Sequence, residues 1–173
     1  TLVWGSSMPA RGDVVILHRP TISEKPEVTY VKRVIGLPGE RVRLDANRLY
    51  IDGASLPTRI LGNVDCQDLD RPDCLCERQA ERIGGLEVVT QHFSPPPKNT
   101  SIHCVNHDEW PLADDPDSAR PEVLVPEGHL LCLGDNRDNS SDGRSWGFVP
   151  QQNVTGRVRL RVWPPSRAPE NIR

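Results

Sequence analysis

Lys32 stands in a stretch, residues 28–35, that alternates with the two-residue period of a strand. Tyr30, Lys32 and Val34 share one face, and Val31, Arg33 and Ile35 share the other. A lysine can act as a general base only when its amine is neutral, so its pKa must fall by several units from about 10.4. Burial beside apolar groups lowers it by up to about 3–5 units. Tyr30 and Val34 supply such neighbours, with Val31 and Ile35 behind them. A strand lysine that snorkels to solvent has the same spacing, so the strand alone leaves both readings open.

The second chemically loaded stretch is residues 134–150, GDNRDNSSDGRSWGFVP. It is too polar for a core strand and too rich in breakers for a helix. An apolar run at 130–133 anchors one end and Trp-Gly-Phe-Val-Pro the other. Asp135, Asp138 and Asp142 are hard oxygen ligands of the kind calcium takes. Their spacing does not follow a calcium loop, however, and Arg137 and Arg144 compete for the same carboxylates. Ser140 either caps the backbone of an Asn-Ser-Ser turn or offers its hydroxyl to a partner elsewhere.

These two stretches need a scaffold. A chain of 173 residues suits one domain large enough to bury its own core. A net charge of −3 leaves no basic footprint for nucleic acid. Seventeen prolines and thirteen glycines point to a loop-rich β protein. No apolar run approaches the roughly 18 residues of a spanning helix, there is no leader sequence, and a start at threonine suggests a piece of a longer protein. Strands are expected at 13–18 and 28–35, with a type II turn at Leu37-Pro38-Gly39-Glu40 between the second and a hairpin. That hairpin pairs Val42 and Leu44 with Leu49 and Ile51. Residues 54–121 read as an inserted polar lobe with a few short strands, the best at 86–89. Strands at 123–125 and 129–133 follow. Residues 154–163 alternate Val158, Leu160 and Val162 against Arg157, Arg159 and Arg161, the pattern of a half-buried strand. Residues 164–173 read as a flexible tail. The expected class is all-β, with mixed, mainly antiparallel sheets in a flattened barrel or sandwich.

Five cysteines remain: Cys66, Cys74, Cys76, Cys104 and Cys132. Clustered loop cysteines outside the cytosol usually pair, so disulfides are expected among the first four: Cys66 with Cys74 or Cys76, and Cys104 with the one left over. A zinc site using His103 or His107 is the rival reading, but no C-x-x-C pair is present. Cys132 belongs to an apolar strand and is expected to stay reduced.

Three ordered blocks carry a resemblance: Arg11-Gly12-Asp13-Val14-Val15, residues 30–40 (YVKRVIGLPGE) and the 134–150 loop. Together they resemble the type I signal peptidases of bacteria, membrane-bound Ser/Lys proteases that remove signal peptides from exported preproteins after small residues at −1 and −3. The resemblance implies that Lys32 is the base and Ser140 the hydroxyl that orients it. It implies that Arg33 pairs with Asp135, that Asp142 and Arg144 brace the loop, and that Cys132 packs near the lysine as a small apolar group. Tyr30, Val31 and Ser141 are expected to help bind the substrate. No cofactor or metal is implied. The implied partners are preprotein signal peptides and a membrane surface reached through an N-terminal anchor, with the catalytic domain on the extracytoplasmic side of the bacterial inner membrane.

The family's nucleophile lies in a Ser-Met-x-Pro block some tens of residues before RGD. Ser6-Ser7-Met8-Pro9 lacks the intervening residue and stands too close to Arg11, so the nucleophilic serine is expected upstream of Thr1 and the chain alone is expected to be inactive. Gly143 and Ser145 depart from the family, which more often has serine and an aromatic there, and the 54–121 lobe matches nothing in it. The same motifs would suit a Ser/Lys peptidase of conjugation or pilus maturation, or a non-catalytic peptide-binding member.

Overall fold

The computed structural model describes residues 2–3, 8–20, 28–45, 47–66, 75–94, 122–161 and 170–171. In chain order the strands are β1 (Leu2–Val3), β2 (Val14–His18), β3 (Thr29–Gly36), β4 (Arg41–Asp45) and β5 (Arg48–Ile51). They continue with β6 (Ala54–Ser55), β7 (Thr58–Asp65), β8 (Leu75–Ile83), β9 (Leu86–Phe93) and β10 (Val123–Leu124). The last are β11 (His129–Leu133), β12 (Val149–Pro150), β13 (Val154–Val158), β14 (Leu160–Arg161) and β15 (Glu170–Asn171). Helix is confined to short turns in the described residues, so the class is all-β, with every strand pairing antiparallel.

A six-stranded sheet in the order β1-β13-β2-β3-β11-β12 forms the frame. Its two faces bury two separate cores, as the two-residue period requires. Ile35, Leu131 and Leu133 face the hairpin residues Val42, Leu44, Leu49 and Ile51. Val34 and Cys132 share the other face with Val15, Leu17, Leu130 and Val149, with Tyr30 and Trp146 packed at the margin. The β4–β5 hairpin has the expected register, Val42 opposite Ile51 and Leu44 opposite Leu49.

Two expectations are corrected. The polar segment after residue 54 contains long strands rather than a few short ones: β7, β8 and β9 have eight, nine and eight residues and form one sheet. The short forecast failed because one face of this sheet buries Gln79, Glu81, Thr90 and His92 in place of aliphatic residues, which erases the hydrophobic alternation that marks a strand. The single strand expected over 154–163 is broken: β13 ends at Val158, and Leu160–Arg161 pairs instead with Glu170–Asn171. A register shift between Val154 and Gly156 already disturbs its pairing with β2.

The β8–β9 hairpin docks against the entry loop at its tip. Gly84 has φ +59°, and a Cβ there would stand 1.9 Å from the Arg11 carbonyl oxygen. Gly12, at φ +92°, lies against the Ile83 carbonyl, 2.8 Å from where its own Cβ would stand. Only glycines permit this backbone-on-backbone contact, so the glycine of the RGD block is where the hairpin seats.

Candidate active site

Arg33 joins the three sequence blocks physically. Its Nε and Nη2 donate to the two Asp135 carboxylate oxygens at 2.8 and 2.7 Å, a bidentate pair. Its Nη1 donates to the Gly12 carbonyl at 2.7 Å. The RGD turn, β3 and the 134–150 loop therefore meet on one guanidinium. Asp13 and Arg11 hold the turn itself: Asp13 accepts from the Ala10 amide at 2.8 Å and from Arg157 at 2.9 Å, and Arg11 pairs with Glu40 and donates to the Ile35 carbonyl.

With the loop so placed, Lys32 Nζ donates to Ser140 Oγ at 2.9 Å, across 108 residues of sequence. The amine is partly buried, 5.7 Å from the Tyr30 ring centroid, and Trp146 packs on that ring at 6.0 Å. Burial is the largest influence on the Lys32 pKa and lowers it. Asp142 opposes that, Arg144 assists it, and Asp135 opposes it again, leaving the amine below its ordinary value.

The loop that presents Ser140 folds around Asp142, which is fully buried. Burial alone would raise its pKa, but hydrogen bonds and charge from Arg144 and the amides of Gly134 and Arg144 outweigh this and hold the carboxyl below the usual range. Arg144 Nε and Nη2 both reach it at 2.9 Å, and the Gly134 amide donates to it at 2.9 Å. Arg144 also donates to the Arg137 carbonyl. Gly134 lies directly beneath Ser140: a Cβ there would be 2.1 Å from the hydroxyl oxygen.

Cys132 is buried on the same face as Val34, opposite it in the ladder. Burial, reinforced by the nearby Asp142 charge, pushes its thiol up to about 12, so it packs as a small apolar group and is no thiolate at neutral pH. Tyr30 lies on the Lys32 face. Val31 does not share that face, because strand alternation turns its side chain to the other one, where it is 56 % exposed and cannot back the lysine. Ser141 is exposed.

Several site residues escaped the sequence reading. Arg137 is 2 % exposed and pairs with Glu81 at 2.7 Å; Asp138 accepts from the Phe93 amide at 2.6 Å. Arg137 and Asp138 were visible inside the polar loop, but Glu81 carried no local signal. Of the cysteines, Cys66 bonds Cys76, which decides between the two partners expected for Cys66. Cys74, Cys104, His103, His107 and Ser7 lie outside the described residues.

A family model described as signal peptidase, peptidase S26, matches residues 2–163. Signal peptidase I of Pseudomonas fluorescens is 33 % identical over 168 residues, covering 90 % of this chain and 49 % of that protein. Signal peptidase I of Leptolyngbya laminosa is 31 % identical over 167 residues, covering 94 % of this chain and 57 % of its own. The chain thus spans about half the length of the curated relatives it matches. A crystal structure of a signal peptidase I from Enterococcus faecalis aligns over 88 % of this chain and 97 % of its own, at 24 % identity and a TM-score of 0.47.

Proposed function

Because the chain belongs to the signal peptidase family, peptidase S26, we propose that Lys32 is the general base of a Ser/Lys endopeptidase that removes signal peptides from exported preproteins. The observation that carries this reading is the 2.9 Å contact between the Lys32 amine and Ser140, in surroundings that disfavour the charged amine. A neutral amine has two N–H bonds and one lone pair. Donating one N–H to Ser140 leaves the lone pair aimed in a fixed direction, which is what proton abstraction from a nearby hydroxyl needs.

In this reading a serine ahead of Thr1 attacks the scissile carbonyl and Lys32 takes its proton. The ammonium so formed returns that proton to the leaving amine as the peptide bond breaks and an acyl-serine forms. Lys32 then deprotonates the water that releases the product. The 173 residues alone are accordingly inactive. Cleavage follows small residues at −1 and −3. Tyr30 and the backbone around Val31 line the substrate path, since no described strand pairs with residues 29–32 on the edge facing β11; an extended peptide could add there. Ser141 stands at the exposed rim. The Cys66–Cys76 disulfide suits an oxidising, extracytoplasmic compartment, and the membrane contact belongs to the longer protein.

Lys32→Arg in the full-length protein tests the assignment, because a guanidinium keeps its proton. Cleavage of a preprotein should vanish with the fold unchanged; cleavage retained at neutral pH would sink the base role.

A further inference from the structure

Glu81 and Arg137 form a buried ion pair between the β8–β9 hairpin and the loop carrying Ser140. Their side chains are each 1 % exposed and meet at 2.7 Å. Glu81 also accepts from Thr90 Oγ1 at 2.8 Å, and His92 Nε2 lies 3.6 Å from the same carboxylate. Among the described residues, Arg137 Nε and Nη1 are buried without a hydrogen-bond partner. A guanidinium so enclosed depends on its carboxylate: remove that and the cost of a buried, unpaired charge drives the side chain toward water.

Arg137 also begins the short 3-10 turn Arg137–Asn139, which ends at Ser140. Its carbonyl accepts from Arg144, the same arginine that grips Asp142. Two further bonds lash the hairpin to this turn: the Phe93 amide to Asp138, and the Gln91 amide to the Asp135 carbonyl at 2.8 Å. Phe93 in turn packs against the Cys66–Cys76 disulfide.

We propose that the β8–β9 hairpin is a positioning element for the Lys32–Ser140 pair, with Glu81 as its key residue: by clamping Arg137 it sets where the Ser140 hydroxyl stands. Glu81 touches neither substrate nor base and acts through the turn. The proposal rests on the reading of Lys32 as the base, and the two can be tested apart.

The test is direct titration of the Lys32 amine by NMR in protein carrying 13Cε-labelled lysine. Only Lys25, Lys32 and Lys98 contribute signals, and Lys32→Arg assigns the resonance. The groups acting on this amine are Asp142, Arg144 and Asp135, beside the Tyr30 ring; those around Glu81 are Arg137, Thr90 and His92. Glu81→Gln makes the two possible effects differ in sign. Loss of a negative charge through space lowers an amine's pKa. Release of Arg137, with Ser140 withdrawn and water let in around Lys32, raises it.

The expected result is a rise of about one unit or more in Glu81→Gln, partly reversed in Glu81→Asp, with cooperative unfolding retained. An unchanged or lowered value in folded Glu81→Gln overturns the positioning role. An ordinary lysine titration in the unsubstituted chain instead overturns the base assignment. Should Glu81→Gln fail to fold, Thr90→Val, which removes one hydrogen bond to Glu81 and no charge, should raise the value, and an unchanged or lowered value there overturns the positioning role.

Discussion

Replacing Gly134 with alanine adds one methyl group in the one place where it must collide with Ser140. Backbone strain does not enter, because Gly134 is not among the positive-φ glycines. The new Cβ would stand 2.1 Å from Ser140 Oγ and 2.7 Å from Ser140 Cβ, and 3.6 Å from Asp142 Oδ2. Moving the hydroxyl from 2.1 Å to the 3.4 Å of ordinary contact is a retreat of about 1.3 Å. Rotating Ser140 relieves the oxygen but not its Cβ, so the turn itself must give. A 2.9 Å hydrogen bond to Lys32 does not survive a displacement of that size, since bonds beyond about 3.5 Å are not made. Overpacking of this kind costs about 1–3 kcal/mol of stability, whereas losing a positioned proton acceptor costs about 100-fold or more in rate. Urea unfolding and preprotein cleavage by the full-length protein should therefore separate: a modest stability loss, and a fall in kcat with KM little changed. The double variant Gly134→Ala with Ser140→Gly should recover stability without recovering rate. Near-normal cleavage by folded Gly134→Ala would refute the orientation of Lys32 by Ser140.

Acid should weaken the fold through Glu81, whose pKa is lowered to about 2 because hydrogen bonds from His92, Arg137 and Thr90 and the Arg137 charge outweigh burial. The carboxylate's contribution is complete above its ordinary 4.5 and is lost as pH falls from there toward 2, a difference of up to about 3 kcal/mol. The gap in urea midpoint between the unsubstituted chain and Glu81→Gln should accordingly narrow from about pH 6 to about pH 3; a constant gap would show that the pair does not stabilise through its charge. Reducing Cys66–Cys76, which closes a separation of 10 residues, should cost about 2–3 kcal/mol on the chain-entropy account, and a thermal midpoint unmoved by reductant would contradict it. Alkylation of the native protein near pH 8 should spare Cys132, buried and pushed up to about 12, and label it only on unfolding; rapid native labelling would place it elsewhere than in the core.

Much of the site was legible in the linear chain because its members sit in three short blocks whose residue types are demanding. Strand alternation alone separated Lys32 from Arg33 and put Tyr30 and Val34 beside the amine, and the β4–β5 register followed from four apolar residues and a turn. The pairing of Arg33 with Asp135 and of Asp142 with Arg144 was legible too, though as an implication of family likeness rather than of spacing. What sequence could not supply was anything depending on a partner far along the chain and buried as a polar group. Gln79, Glu81, Thr90 and His92 fell in a segment read as a polar inserted lobe because hydrophobic periodicity is blind to a sheet face that packs polar groups against one another. Glu81 becomes an interior residue only once Arg137, 56 residues later, is folded onto it. Likewise the steric demand at Gly134 exists only because the turn brings Ser140 back over it. Local alternation thus decided which side chains share a face, while the tertiary structure decided which charges could leave water, since a buried carboxylate is tolerable only when its counter-ion arrives from elsewhere in the chain.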